Sequence, residues 1–382
     1  MLYGVMYDWL EIRIFGYISF RVAMAALTGF AFAVWFGKPT IAWLRGHRVR
    51  ENVAKSDSEA LAAAAEAAGK HNTPTMGGSF LIVALLASVV LWARLDVVHV
   101  ILGLMLIAGL AAVGFVDDYK KLTIPGCKGL SRGAKMLGLS TVTLGVLGAM
   151  AWYAHSSGRW TLLALHPPFL KDFQIPLGAW GAIGLLAFLA FEWFVVVGTA
   201  NAVNITDGMD GLAAGCLIIS GGALAIFCYV TGRVDWTDYL NLPYVRHASE
   251  MAVLGGALAG SSMGFLWYNA YPAQVFMGDS GSLPLGGAMA WMALVSKQEL
   301  VLPLIASVFV ADLGTSALQT FWYRRSGGQR LFTLAPIHHG LERYGGIFHR
   351  HETGWHEVKV VVRFWIVAAI GAMASLALLK VR

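Results

Sequence analysis

Apolar residues gather along this chain in blocks separated by short polar stretches. Helical blocks of about 20 apolar residues match the hydrocarbon thickness of a bilayer. The pattern predicts ten membrane-spanning helices, over 17–36, 75–94, 97–117, 135–154, 178–199, 210–231, 249–268, 282–296, 300–323 and 359–379. The eighth is short and the most weakly marked. The expected fold is all-α, one polytopic transmembrane domain over residues 1–382 without an internal repeat.

Ten spans place both termini on one side. The connections 37–74, 118–135, 200–209, 269–281 and 324–358 then share the other face and hold sixteen Lys and Arg, against six in the remaining connections. Positive residues favour the cytoplasm, so both termini are expected outside. Composition agrees: 57% of the residues are hydrophobic, 13% are charged and mean hydropathy is +0.64. A soluble domain carries roughly a quarter charged residues, which excludes an ordinary soluble enzyme. The net charge of +6 says less than its placement. Asp8 and Glu11 precede the first span, so no cleaved signal peptide is expected. Cys127, Cys216 and Cys228 are unclustered and suggest neither a disulfide framework nor a zinc site.

The acids sort by depth. Asp117 and Asp118, in GFVDDYKKL, end the third span; Asp207 and Asp210, in NAVNITDGMDGLAAG, lie between spans five and six; Asp279, in VFMGDSGSL, lies between seven and eight. Each alone could be a helix cap or end, but all five fall on the cytoplasmic face beside Lys120 and Lys121. Paired acids next to lysines suit a meeting of Mg²⁺ and phosphates. Asn201, Asn204, Asp207 and Asp210 recur every three residues, near one helix face. Gly208 and Gly211 break that helix and are expected to free backbone N–H groups for an anion.

Other segments read less sharply. In GKHNTPTMGG, Thr73 is expected to cap the second span and Pro74 to open it, while Lys70 faces the acids as a phosphate partner. Ser56 and Glu59 suggest a capping box on a surface helix. Five of eleven His lie in 338–356. His338 and His339, beside Glu342, could bind phosphate. HETGWH fails as a zinc-protease motif, its His five apart rather than four, and His349, His351 and His356 read as loop residues. Within spans, Asp312 and Gln319 are expected to line a cytoplasmic cavity. Glu192 and Glu250 are placed near interfaces without a role, so Glu250→Gln is expected to be nearly neutral.

TPTMGG, GFVDDYKK, GLSRGAKMLG, GTANAVNITDGMDGLAAG, VFMGDSGSLPLGG and PIHHGLE together resemble, in order, the polyprenyl-phosphate N-acetylhexosamine-1-phosphate transferases. Within them the chain is similar to the phospho-N-acetylmuramoyl-pentapeptide branch, from about Lys70 onward. The resemblance implies a transferase of peptidoglycan biosynthesis in the bacterial cytoplasmic membrane, its active site facing the cytoplasm. Its substrates would be UDP-N-acetylmuramoyl-pentapeptide and undecaprenyl phosphate, with Mg²⁺ as cofactor, no nucleic-acid partner, and a homodimer as the assembly it allows. It further implies Asp279 as Mg²⁺ ligand, and Asp117 and Asp118 on the lipid phosphate, Asp117 deprotonating or orienting it. Lys70, Thr75, Asn204, Asp207, Asp210 and Phe276 would meet the nucleotide, Phe276 by stacking on uracil. Lys121 and Lys135 would bind phosphates, His338 and His339 the sugar-phosphate side, and Gln319 would be a further substrate contact. Direct transfer and an aspartyl-phosphate route both stay open, with direct transfer favoured.

Two positions depart from the family pattern: Gly340 stands where a third His is usual, and 49–69 is Ala-rich. The nearest rival is a sister enzyme using UDP-N-acetylglucosamine, against which PIHHGLE weighs. An ion-coupled transporter should place its acids mid-bilayer within repeated halves, which this chain does not. A non-enzymatic scaffold accounts for neither the acids nor the His pair.

Overall fold

The computed structural model describes residues 1–46, 73–124, 127–170 and 173–381. Lys70 and the Ser56–Glu59 segment lie outside them. A long helix occupies most of each of the ten expected segments: α1 Ile18–Gly46, α2 Gly78–Trp92, α3 Val98–Thr123, α4 Arg132–Ser156, α5 Gly181–Thr206, α6 Leu212–Thr231, α7 Glu250–Asn269, α8 Asp279–Val295, α9 Ser307–Arg325 and α10 Glu357–Val381. Helices satisfy their backbone groups internally, which is what a segment in lipid requires. Seven helical segments are long and apolar enough to cross a membrane: α1, α3, α4, Leu177–Thr206, α6, α7 and α10. The other three, α2, α8 and α9, fall short in length or apolarity. A two-residue antiparallel pair, β1 Ala164–Leu165 with β2 Ile175–Pro176, ties the connection before α5.

The weakly marked eighth segment is the hub. Every residue of α8 is buried, so protein rather than lipid surrounds it, and selection for an apolar lipid-facing surface is absent. Trp291 donates from its indole N–H to the His99 carbonyl at 2.9 Å, anchoring the far end of α8 to α3. At the near end, α2 and α3 approach through glycines. A Cβ at Gly78 would collide with the backbone of Gly281, and one at Gly114 with the carbonyl of Asp279. Small residues permit the same closeness between α1 and α7, where Gly256, Gly260 and Gly264 meet the backbone of Val22, Ala26 and Phe30.

Four expectations change. Asp117 and Asp118 do not end their helix, because α3 continues to Thr123. The segment 300–323 is not one helix: Leu302–Ile305 precedes a break at Ala306, after which α9 begins. Glu250 has a clear role, as it is buried in a two-pronged ion pair with Arg21 at 2.6 Å and 2.6 Å. Glu192 is fully buried facing Lys297 and Glu299, so it too has partners inside the protein.

Candidate active site

Two chain segments deliver one buried acidic cluster of three residues. Asp117 and Asp118 come from the last turns of α3, and Asp279 is the first residue of α8 after Gly278. Gly278 holds φ +73°, a conformation that favours glycine, and a Cβ there would press on the Asp118 carboxylate at 2.7 Å. The ligand-capable oxygens of the three acids lie within 4.8 Å of one another. Lys121, one turn beyond Asp117, places its ammonium among all three: 2.5 Å from Asp117 Oδ2, 3.4 Å from Asp118 Oδ1 and 3.1 Å from Asp279 Oδ2. Lys135, from the first turn of α4, reaches Asp279 Oδ2 at 2.7 Å.

The remaining carboxylate oxygens are held by neutral donors. Leu130 N–H donates to Asp117 Oδ1 at 2.7 Å and Ser280 N–H to Asp118 Oδ2 at 2.9 Å. Asn204, near the end of α5, donates to Asp279 Oδ1 at 2.6 Å and to Ser282 Oγ at 2.8 Å. Charge-assisted bonds of this kind are short and strong. The cluster is thus ordered on every side, and its donors are all hard oxygens.

The stretch around Thr75 does more than open a helix. Phe276 N–H donates to the Pro74 carbonyl at 2.9 Å, and Gly77 and Gly78 N–H donate to the carbonyls of Phe276 and Met277 at 2.8 Å each. Residues 74–78 and 276–277 therefore clasp through three backbone hydrogen bonds. Pro74 does not open α2, and Thr73 does not cap it: the helix starts at Gly78, and the Thr73 hydroxyl reaches toward the Ala273 carbonyl at 3.5 Å. The clasp sets Thr75 beside Gly278, its Oγ1 3.1 Å from where a Cβ would stand. Phe276 is half-buried in the same clasp.

The anion seat expected at the start of α6 is taken. Asp210 N–H donates to Glu357 Oε1 at 2.9 Å and Gly211 N–H to Asn269 Oδ1 at 3.0 Å. Asp210 itself is buried and accepts from Ala273 N–H at 2.9 Å, so it braces the 270–276 turn. Asn201 turns back onto the Val197 carbonyl at 2.7 Å. Of the four expected on one helix face, Asn204 joins the acidic cluster, and Asp207 is half-buried at the end of α5.

A second polar group forms under the 207–211 turn. The short helix Ile337–Tyr344 carries His338 and His339, ring centroids 4.3 Å apart. His338 is wholly buried with Nδ1 2.8 Å from Asp312 Oδ2 of α9. Asp312 is likewise fully buried, so it supports the His pair and does not line an open cavity. A Cβ at Gly208 would lie 2.8 Å from His338 Nε2 and 3.0 Å from His339 Nε2. Burial holds the His339 pKa below the ordinary imidazole value, against the opposing hydrogen bond from its Nδ1 to Glu342 Oε2 at 3.3 Å. Gln319 accepts through Oε1 from Leu331 and Phe332 N–H at 3.0 Å each, which pins the segment leading to the His helix. Gly340 is buried; a Cβ there would meet Thr333 Oγ1 at 3.0 Å and the Leu334 carbonyl at 3.1 Å.

Sequence reasoning missed Ser282, Asn269 and Glu357. Ser282 had a signal, standing one helical turn after Asp279. Asn269 and Glu357 had none, since their partners lie 58 and 147 residues away.

Comparison with known proteins identifies a family for the chain. The family model described as glycosyl transferase family 4 matches residues 100–297. The chain is 39% identical over 378 residues to the phospho-N-acetylmuramoyl-pentapeptide-transferase of Neisseria gonorrhoeae (strain NCCP11945), covering 98% of each. It is 38% identical, again with 98% of each covered, to the protein of the same name from Neisseria meningitidis serogroup C (strain 053442).

Proposed function

Because the chain belongs to the phospho-N-acetylmuramoyl-pentapeptide-transferases of glycosyl transferase family 4, we propose that it transfers phospho-N-acetylmuramoyl-pentapeptide from its UDP carrier to undecaprenyl phosphate, forming lipid I and releasing UMP. The observation that carries the reading is the buried Asp117–Asp118–Asp279 cluster interleaved with Lys121 and Lys135. We read ten membrane crossings with both termini outside, which sets this cluster at the cytoplasmic edge of the inner membrane. There a lipid phosphate confined to the bilayer and a water-soluble nucleotide-sugar can both arrive.

A divalent cation fits the donor set. Mg²⁺ takes hard oxygen ligands, commonly one or two carboxylates with substrate phosphates, and the Lys121 ammonium already stands as a cation among the three acids. Asp279 would be its principal holder. Bound Mg²⁺ would neutralise diphosphate charge.

The chain's own groups supply the rest. A phosphate monoester with a second pKa of about 6 is largely ionised near neutral pH and needs no strong base. Its oxygen bonds to the β-phosphorus as the bond from that phosphorus to the UMP oxygen breaks. Lys121 and Lys135 balance the phosphate charges, and Asp117, fixed by Leu130 N–H, orients the acceptor. Positioning accounts for most of the rate in such transfers. A groove of ≈ 630 Å³ begins at Ile205, next to Asn204, and runs along Leu313, Ala317 and Phe321 to Arg324 and Arg325. Its apolar wall suits a polyprenyl chain, with guanidinium groups at one end. His338 and His339, under the turn after α5, face the sugar side.

The test incubates purified membranes with undecaprenyl phosphate, Mg²⁺ and either UDP-N-acetylmuramoyl-pentapeptide or UDP-N-acetylglucosamine. Lipid product from the first sugar alone, abolished by excess EDTA, is expected. Product from UDP-N-acetylglucosamine alone would assign the chain to the sister chemistry.

A further inference from the structure

Asp312 has no place in the phosphate chemistry, yet it is an acid wholly buried inside α9, where an ionisable group is costly and calls for a partner. Its partner is His338: Oδ2 lies 2.8 Å from Nδ1, and neither side chain has exposed surface. An imidazole whose Nδ1 proton is held by a carboxylate has its other nitrogen fixed as an acceptor. That other nitrogen, His338 Nε2, is buried and has no hydrogen-bond partner among the described residues. It is aimed at the bare Cα of Gly208, an exposed residue of the 207–211 turn. A side chain at 208 would fill the space that Nε2 faces.

An acceptor built this way is incomplete until a donor comes. The neighbours do not provide one: His339 Nδ1 is engaged by Glu342, and the Asp210 and Gly211 N–H groups are spent on Glu357 and Asn269. Asn204, four residues before Gly208, touches the acidic cluster, so this turn lies within reach of a nucleotide-sugar whose diphosphate would meet Asp279.

We propose that Asp312 is a positioning residue that holds the Nδ1 proton of His338 and so presents Nε2, beside Gly208, as acceptor for an O–H or N–H donor of the bound nucleotide-sugar. The inference rests on the transferase reading above and adds the residue that sets this contact. Asp312 touches no substrate; it acts through His338. Carboxylate–imidazole pairs fix tautomer and ring orientation, and where such a pair serves a metal-bound imidazole the loss of the carboxylate costs about 10–100-fold, the scale taken here.

The test uses the full chain in detergent with ¹⁵N-labelled histidine, the His338 signals assigned by difference from His338→Gln. Wild type should show a protonated Nδ1 and a bare Nε2. Asp312→Leu should move the proton to Nε2 and raise KM for UDP-N-acetylmuramoyl-pentapeptide about 10–100-fold, with a smaller change in kcat. Asp312→Glu should restore part of both. Gly208→Ala should raise KM while leaving the proton on Nδ1, because it blocks the acceptor without touching Asp312. Should Asp312→Leu fail to fold, the wild-type signals and Gly208→Ala still decide. A bare Nδ1, or both nitrogens protonated, in wild type would overturn the proposal, as would an unchanged KM in Gly208→Ala. If wild type forms no lipid product from this sugar, the transferase reading falls, and the wild-type tautomer then reports on the Asp312–His338 pair alone.

Discussion

Two buried sets of acid and base sit at opposite ends of the bundle. At one end Glu250 meets Arg21 in a closed pair, their side chains 4% and 1% exposed. Each Glu250 oxygen accepts from the guanidinium, and Oε2 also accepts from Arg94 N–H at 3.2 Å. At the other end three carboxylates share two lysines, and the Lys121 side chain is 38% exposed. The first set is charge-balanced and sealed. The second carries excess negative charge and opens to solvent through its own cation. Burial therefore does not separate a structural acid from a functional one; charge balance and the exposure of the partner do. A closed pair holds helices together, whereas an open, acid-rich set asks for a further cation and an anionic ligand.

The sharpest way to break this contrast is one substitution at each end. Asp279→Asn removes the anionic oxygen that both lysines use and that the proposed divalent cation would use. Turnover should drop by roughly 10³-fold, equivalent to about 4 kcal/mol, with an unchanged melting temperature in detergent. Glu250→Gln should do the reverse. Breaking a buried pair leaves Arg21 uncompensated and costs about 3–5 kcal/mol of stability, visible as a lower melting temperature, while kcat per folded molecule stays the same. If Glu250→Gln lost turnover without melting earlier, the division of roles between the two ends would be wrong.

The sequence suggests no structural role for Glu250, and the reason it misses one is general. A span is legible because hydrocarbon imposes a length and a composition on one continuous segment. Seven helical segments carry that signature, but α8 does not, since it is surrounded by protein and can afford Ser282, Gly286 and Pro284. The acidic cluster was legible for a related reason: the Asp117–Asp118 and Asp279 motifs both fall at predicted span ends on one expected face, and Lys121 follows Asp117 within a turn. Pairings across the bundle leave no such trace. Arg21 lies 229 residues from Glu250, and His338 lies 26 from Asp312 with a loop between. Asp210 resembles Asp207 in sequence context, yet it serves the Ala273 N–H rather than the cluster.

A smaller effect would grade the open end from within. Asn204 holds Asp279 Oδ1 while Ser282 steadies Asn204. Asn204→Ala should reduce kcat/KM by about 10–100-fold, the usual cost of losing a group that orients a ligand. Ser282→Ala, which leaves Asn204 able to reach Asp279, should cost less than Asn204→Ala. Steady-state rates of UMP release check the order, and equal losses would mean that Ser282 acts on more than Asn204.

The smallest expected effect concerns pH and returns to the contrast between sealed and open charge. Burial keeps the His339 pKa below its ordinary value of about 6.5, so at neutral pH the ring is uncharged in the folded protein. The unfolded chain takes up a proton as pH falls through that ordinary value, whereas the folded chain resists until its own lower pKa is reached. Over that window the unfolded state binds more protons, and stability declines as pH falls. Below the folded pKa both states are protonated and the decline stops. Glu342 opposes the shift through its hydrogen bond to Nδ1. Glu342→Gln should therefore lower the folded pKa further and widen the window toward acid, giving a steeper loss of melting temperature between pH 7 and pH 5. His339→Gln should remove this contribution altogether. Melting curves of the three proteins across that range decide it: a wild-type dependence no different from that of His339→Gln would show that His339 is not held neutral by burial.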